Sequence, residues 1–432
     1  MSGVDQLRQM VPAQWQLKPL RSVADYQVSN VDKLIAEDEE PVRLCNYVDV
    51  YHNERVDLTV PFMAATATAG EIERFGLKIG DVLITKDSEA WNDIGVPALI
   101  CETADDLVCG YHLAMIRPNP DQIEGEFLFR CMQAKPVSIQ LELAANGITR
   151  FGIPKSAIGS LSIPVPSLPD QRRIVGYIAD QVQDIDALID GKQKLQGLLA
   201  EKRRTLVAEA VMRGLDRSAP LRPSGIDWLG DIPAHWEIRR SKWLFEERDV
   251  RSTTGEETLF SLRMERGLVP HNEVSEKKTL PEELVGYKIA RRGELVVNRM
   301  RAATGLIAIA PEYGLVSPDY AVFVPGKEIE CDYYVELFKT TLLQAVFRSE
   351  STGLGTGSQG FLRLYSQNFL ALWFPHPPID EQRQILEHLN VERAKIDKLA
   401  KATERSIALL KERRSALIAA AVTGQIDIPE TA

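Results

Sequence analysis

The chain repeats itself, and the repeat limits it to folds that can be built twice. IPVPSLPDQRRIVGYI (163–178) matches FPHPPIDEQRQILEHL (374–389) at an offset of 211, pairing Pro164, Pro166, Gln171, Arg172 and Ile174 with Pro375, Pro377, Gln382, Arg383 and Ile385. Without a gap, the same offset sets LLAEKRRTLVAEAV (198–211) on LLKERRSALIAAAV (409–422), and Asp216 on Asp427. Self-similarity at a fixed period marks a duplicated structural unit. Upstream the offset drifts by several residues, as loops of unequal length in two copies would make it. There Val11, Pro12, Ala13 and Trp15 answer to Ile232, Pro233, Ala234 and Trp236. LKIGDVLI (77–84) resembles YKIARRGELVV (287–297), and LVCGYHLAMI (107–116) resembles LVSPDYAVFV (315–324).

From Pro169 and Asp170 to about Arg213, Ile174, Ile178, Ile185, Leu188, Leu195, Leu199 and Leu206 recur at helical spacing, near heptads from Ile185 onward. The twin runs from Asp380 to about Val422 through Ile385, Leu389, Ile396, Leu399, Ile407, Leu410 and Leu417. Each predicts a helix of roughly 44 residues, or ~65 Å. Equivalent helices meeting across a pseudo-two-fold axis must run antiparallel. Gly191 and Gly197, matched by Ala402 and Ala408, suit close backbone approach or a kink. Short runs such as LCNYVDV, GDVLIT, ELVVNRM and YAVFVP, broken by Gly and Pro, read as strands of mixed domains. The expected fold class is α+β: two globular α/β domains, 1–163 and 217–374, alternating with helical spacers, 164–216 and 375–432, that pair as an antiparallel coiled coil.

A length of 432 residues suits several cores, and 44% hydrophobic with 26% charged residues is ordinary for a soluble globular protein. No stretch reaches the ~18 uninterrupted apolar residues of a membrane span, and the start MSGVDQLRQMVPAQW lacks the order of a secretion signal. A cytoplasmic location and no membrane partner are expected. Cys45, Cys101, Cys109, Cys131 and Cys331 show no CxxC spacing and read as structural thiols rather than a zinc or disulfide set. The net charge of −10 argues against a free-standing nucleic-acid binder.

No phosphate-loop, HExxH, GxSxG or dinucleotide-binding motif is present, and the six histidines lack metal-ligand spacing. GLGTGSQG (353–360) resembles a phosphate cradle only superficially and reads first as a loop, with Ser358 and Gln359 as candidate contacts. No catalytic residue, metal site or bound cofactor is expected. Recognition chemistry remains. SLRMERG (261–267) and VNRMRAATG (297–305) place Arg263, Arg266, Asn298, Arg299 and Arg301 near predicted strand ends. Arginine forks fit guanine edges or phosphates, and asparagine can bridge adenine. In the first half the related stretches YHNER (51–55) and TKDSEAWND (85–93) offer Tyr51, His52, Asn53, Arg55 and Lys86. A solvated surface loop would look the same.

Over essentially its full length the chain resembles the specificity subunits of type I restriction-modification systems. The residues that carry this are PVPSLPDQRRIVGYI and PHPPIDEQRQILEHL, the helix ends KRRTLV and ERRSALI, and SGIDWLGDIPAHW (224–236) with its echo GVDQLRQMVPAQW (3–15). The resemblance implies two target-recognition domains, each reading one half of a gapped, asymmetric site in double-stranded DNA, and helices that bind two methyltransferase subunits. Those partners would supply S-adenosylmethionine chemistry on adenine, and restriction subunits, where the system has them, ATP, Mg and translocation. The partners would also carry positive surface that this acidic chain lacks. Two other readings stay open: a non-enzymatic coiled-coil tether that spaces two protein-binding domains, and an enzyme acting by itself.

Overall fold

The computed structural model describes residues 3–276, 279–353 and 362–429. They form two compact units: unit 1, Met1–Gln193 with Glu404–Ala432, and unit 2, Lys194–Thr403. Two long helices, α1 (Leu168–Arg213) and α2 (Ile379–Val422), each start in one unit and end in the other. At 46 and 44 residues they rise about 69 and 66 Å.

The repeated glutamine explains how each long helix begins. Gln171 is fully buried; its Oε1 accepts from the Glu124 backbone N–H (2.9 Å), and its Nε2 donates to the Gln122 and Pro166 carbonyls (3.0 Å each). Gln382, equally buried, accepts from the Glu330 N–H (2.9 Å) and donates to the Glu328 and Pro377 carbonyls (3.2 and 2.9 Å). The next residue adds an exposed ion pair in both copies, Arg172 to Glu124 and Arg383 to Glu330. The two bonds differ in worth. Gln171→Ala leaves one buried and two half-buried backbone groups without this partner and is expected to cost about 2–4 kcal/mol, whereas Arg172→Ala should cost less than about 1 kcal/mol. Chemical denaturation of the two variants side by side checks the ranking, and equal losses would refute it.

Within each unit, one helix start packs beside the other helix's end. In unit 1, Ile185 and Ile189 cluster with Ile407 and Leu410, and the Arg414 guanidinium lies 2.9 Å from Asp186. In unit 2, Arg203 lies 3.3 Å from Asp397, while Ala210 and Val211 share a core with Ile385 and Leu389. Residue numbers rise on one helix as they fall on the other. Leu188 and Leu399, expected in the helix seam, instead face outward at 54% and 47% exposure, and Ile189 is buried. Both i+3 and i+4 from Ile185 are apolar, so the sequence holds two candidate stripes and periodicity cannot choose between them. Close backbone approach at Gly191 and Gly197 is also not found, since a Cβ at either would meet nothing within 4 Å.

The globular part of each unit is built on a sheet with one shared core order. In unit 1 the central strands are β1 (Val82–Thr85) and β2 (Leu113–Pro118), in a five-stranded sheet ordered Ala24–Val28, β2, β1, Pro97–Ile100, Arg55–Val56. In unit 2, β3 (Leu295–Asn298) and β4 (Tyr320–Pro325) take the same places, ordered Phe245–Glu247, β4, β3, Ile307–Ile309. Side chains alternate between two cores: Val82, Ile84, Ala114 and Ile116 join the α1 start, while Leu83, Leu113 and Met115 face the other way. Leu295, Val297, Ala321 and Phe323 against Val296 and Val322 repeat this in unit 2. Burial on both faces is why these strands read as unbroken apolar runs.

Unit 1 adds a three-stranded sheet of Glu40–Cys45, Met63–Ala67 and Leu107–Cys109. LCNYVDV is not one strand. The strand stops at Cys45, and Asn46 caps the helix Tyr47–His52, accepting from the Val48 and Asp49 N–H groups while Asp49 returns a bond to the Asn46 N–H. This capping box outweighs the strand preference of Tyr47 and Val48. The Pro–Ala–x–Trp motifs seat on helix ends: Pro12 and Trp15 lie against Gly424, and Pro233 and Trp236 against Gly214, both glycines in the left-handed region (φ +72° and +74°). The tryptophan Nε1 of Trp236 also donates to Glu381 (3.0 Å). Cys45, Cys109, Cys131 and Cys331 are buried and unpaired, and burial pushes the Cys331 thiol up to about 12.

Candidate nucleic-acid interface

Several of the sequence candidates gather at one place in each unit, the end where β1 or β3 stops. In unit 1, Lys86 follows β1 and its Nζ lies 2.7 Å from Asp87. Asp87 also holds His112 Nδ1 (2.6 Å), and His112 Nε2 lies 3.2 Å from the Arg150 guanidinium. Partial burial would raise the Asp87 carboxyl, but bonds from Lys86 and His112 outweigh it and keep the group below its ordinary value. His112 has φ +66°, the left-handed region that a non-glycine residue enters at a cost. Its backbone is held there by the bond from Lys86 N–H to His112 carbonyl (2.8 Å).

Two further elements border this cluster. Tyr51 stacks on Tyr47 (5.5 Å between centroids) and donates to Asp93 (2.6 Å), a bond that raises its hydroxyl pKa. The loop 146–152 is pinned at its base by reciprocal bonds between Asn146 and Gly152, and presents Ile148 at 94% exposure beside Arg150. His52 lies exposed, edge-on to Tyr51. Asn53 does not join them, since its amide caps the helix by donating to the Asp49 carbonyl (2.8 Å). Arg55 stands apart too: Arg55 pairs with Leu99 near the Val82 end of β1, and its guanidinium is tied to Glu126 (2.5 Å).

In unit 2, Asn298 ends β3, and its side-chain oxygen accepts from the Met300 and Arg301 N–H groups (3.1 and 3.2 Å), shaping the turn. Tyr320 opposes Asn298 across the strand pair; burial raises its hydroxyl pKa, with Asn298, Arg263 and Arg301 close enough to oppose that rise. Arg299 donates to the Asp319 and Pro318 carbonyls (2.7 and 3.4 Å), and Arg363 pairs with the Asp319 carboxylate (2.7 Å). Arg263 donates to the Val274 carbonyl at 3.5 Å, and Arg266 pairs with the exposed Glu273 (2.7 Å). Among the described residues the Arg301 guanidinium makes no hydrogen bond or ion pair. Ser358 and Gln359 lie outside the described residues.

The structure thus brings Tyr51 and Lys86 together in one unit, and Arg263, Asn298, Arg299 and Arg301 in the other. Sequence reasoning missed Asp87, His112, Arg150, Tyr320 and Arg363. A signal for the last was available: the offset of 211 holds upstream to Lys155–Ser160 and Ser366–Ala371, matching short helices, which ties the stretch before Ser366 to the loop before Lys155. Among the described residues, no helix is long and apolar enough to cross a membrane, and no group of three or more His, Cys, Asp or Glu side chains is placed to hold a metal.

No protein-family model matches the chain. A Methanocaldococcus jannaschii protein, inferred to be the specificity subunit of the type I restriction enzyme MjaX, is 20% identical, covering 97% of this chain and 95% of its own. A chain solved in work on complex assembly and conformational transition of a type I R-M system superposes with a TM-score of 0.64 at 18% identity, covering 96% of this chain and 99% of that one. The crystal structure of the HsdS subunit from Thermoanaerobacter tengcongensis gives 0.52 at 18% identity, with 96% and 98% covered. At this identity the structural likeness is one of fold. Together, the full-length sequence match and the shared fold make this chain a homologue of type I restriction-enzyme specificity subunits.

Proposed function

We propose that the chain is the DNA-recognition subunit of a type I restriction-modification complex. The globular parts, 1–163 and 217–374, are the target-recognition domains, and each reads one half of a bipartite, gapped site. The observation that carries this reading is the convergence of different polar side chains on the same strand end in two units of one fold: Lys86, His112 and Arg150 in one, Arg263, Asn298 and Arg301 in the other. Equivalent frames with unlike side chains suit unlike half-sites. Exposed Ile148 offers the apolar contact that a thymine methyl takes.

The spacers, 164–216 and 375–432, pair as an antiparallel coiled coil and dock two modification subunits. Supporting this, each helix carries the same outward stripe at heptad spacing. Leu188, Gly191, Leu195 and Leu198 form it on α1, Leu399, Ala402, Ser406 and Leu409 on α2, and the four end leucines are 54%, 62%, 47% and 55% exposed. The chain itself performs no chemistry: the partners bring S-adenosylmethionine and, where cleavage occurs, ATP and Mg. Their positive surface complements the net charge of −10.

Co-expression with a type I adenine methyltransferase subunit that binds this chain, followed by mapping of methylated adenines, tests the function. The expected motif has two non-identical halves separated by a gap of unspecified bases. A contiguous motif, or none, would overturn the proposal, and the tether reading predicts none.

A further inference from the structure

Unit 1 holds a groove of about 480 Å³ along the edge strand Ala24–Val28, away from the strand end described above. Its polar wall is Arg21, Arg74, Arg117 and Lys155, with Asp25 as the one carboxylate in the lining. Arg117 is anchored by the buried Asp81 (2.6 Å). Among the described residues the other three cations form no ion pair. Arg74 donates to the Gln27 side-chain oxygen, Lys155 Nζ sits 5.8 Å above the Tyr26 ring, and Arg21 makes no side-chain bond among the described residues. In a chain with 61 acidic and 51 basic residues, four cations gathered round a groove with Asp25 as its one lining carboxylate need a reason.

The second copy shows that the fold does not supply one. In unit 2, Phe245–Glu247 pairs with β4 as Ala24–Val28 pairs with β2, which sets Val324 in the place of Arg117 and Arg248 in the place of Gln27, and Arg248 holds Glu294 as Arg117 holds Asp81. Yet Glu246 and Glu247 occupy the positions of Asp25 and Tyr26, and Ser366, in the place of Lys155, donates to Glu247 (2.6 Å). The frame is kept, and so is a cation in the place of Arg21, Lys242, but Ser366 replaces Lys155 and Glu247 replaces Tyr26, so the net positive charge is lower.

We propose that this groove binds a backbone phosphate of the duplex that unit 1 reads. The inference rests on the DNA-recognition reading. Guanidinium and ammonium groups that are not held in ion pairs match phosphate oxygens, and such contacts position a duplex without reading sequence. The strand β2 links the two places: Arg117 lies five residues beyond His112, roughly 17 Å at ~3.3 Å per residue, or about 5 base pairs of duplex. A phosphate in the groove would fix the angle at which the duplex crosses the reading end of the domain.

The test uses the full chain, a fluorescent mixed-sequence duplex and a potassium chloride series. Each neutralised phosphate contributes about 0.9 to the slope of log affinity against log salt, so loss of this one contact in Arg21→Gln with Lys155→Gln should flatten the slope by about 0.9. Arg217→Gln, an exposed cation of unit 2, should leave it unchanged. A double variant with the wild-type slope overturns the groove. Protection of the wild-type chain, but not the double variant, by sodium phosphate at fixed ionic strength, with equal duplex slopes, would make the ligand a free anion and overturn the backbone assignment. The methylated motif should be the same for both chains when partnered. If the wild-type complex yields no motif, the recognition reading fails, while the slope comparison still decides the groove.

Discussion

A complex built on the Leu188→Asp, Leu198→Asp variant is expected to hold one modification subunit where the wild type holds two. The two leucines lie on α1 with roughly half of their side-chain surface still open to water, so docking has about 1–1.5 kcal/mol of burial to gain from each. Aspartate removes that gain and adds a carboxylate that must be desolvated at the interface, a further cost of at least 1 kcal/mol. Together these weaken binding by at least a hundredfold. Because both side chains point away from the core, the variant should melt with the wild type. Leu399→Asp with Leu409→Asp should remove the other modification subunit, and the fourfold variant both. Native mass spectrometry of the reconstituted complexes reads the stoichiometry directly. Two subunits retained on the fourfold variant would place the docking surface elsewhere.

That prediction depends on a distinction the sequence could not make. The offset of 211 made the duplication and both long helices legible, because Gln171 and Gln382 meet identical backbone demands and identical residues meet them. Periodicity then failed at Ile185, where residues three and four positions on are both apolar. Only packing tells that Ile189 faces in and Leu188 faces out. The strands β1 to β4 were visible as apolar runs, since they are buried on both faces. LCNYVDV was misread because a cap acts through hydrogen bonds that a hydropathy pattern does not contain.

The candidate site was legible in its residue types and not in its wiring. Arginines near strand ends were conspicuous, but whether a guanidinium is free depends on carbonyls and carboxylates brought from far along the chain. Asp319 illustrates this: its carbonyl takes Arg299 and its carboxylate takes Arg363, so two cations that look available are already engaged. Arg55, with Glu126 from another element, is a third. Single-residue chemistry gives no hint of such pairings, and the internal repeat gives little, because the loops differ most where the two copies diverge.

Arg299 and Arg301 should therefore behave differently, although the sequence offers them as a pair. Arg301 follows a turn held by Asn298, with its fork unpaired among the described residues, and under the DNA-recognition proposal it is expected to make bidentate contact with a guanine edge. Arg301→Ala should cost about 1–3 kcal/mol, roughly 5- to 150-fold in affinity, and only for duplexes carrying the preferred base at one position of one half-site. Arg301→Lys should keep much of the affinity and lose the preference, because an ammonium cannot reproduce the fork. Arg299→Ala instead frees the Asp319 and Pro318 carbonyls and loosens the turn, so its loss should spread over several positions of the same half-site. Competition binding with single-base variants of the mapped motif separates the cases. An Arg301→Ala loss that is uniform across every base substitution would mark that side chain as a phosphate contact and sink its assignment as a reader.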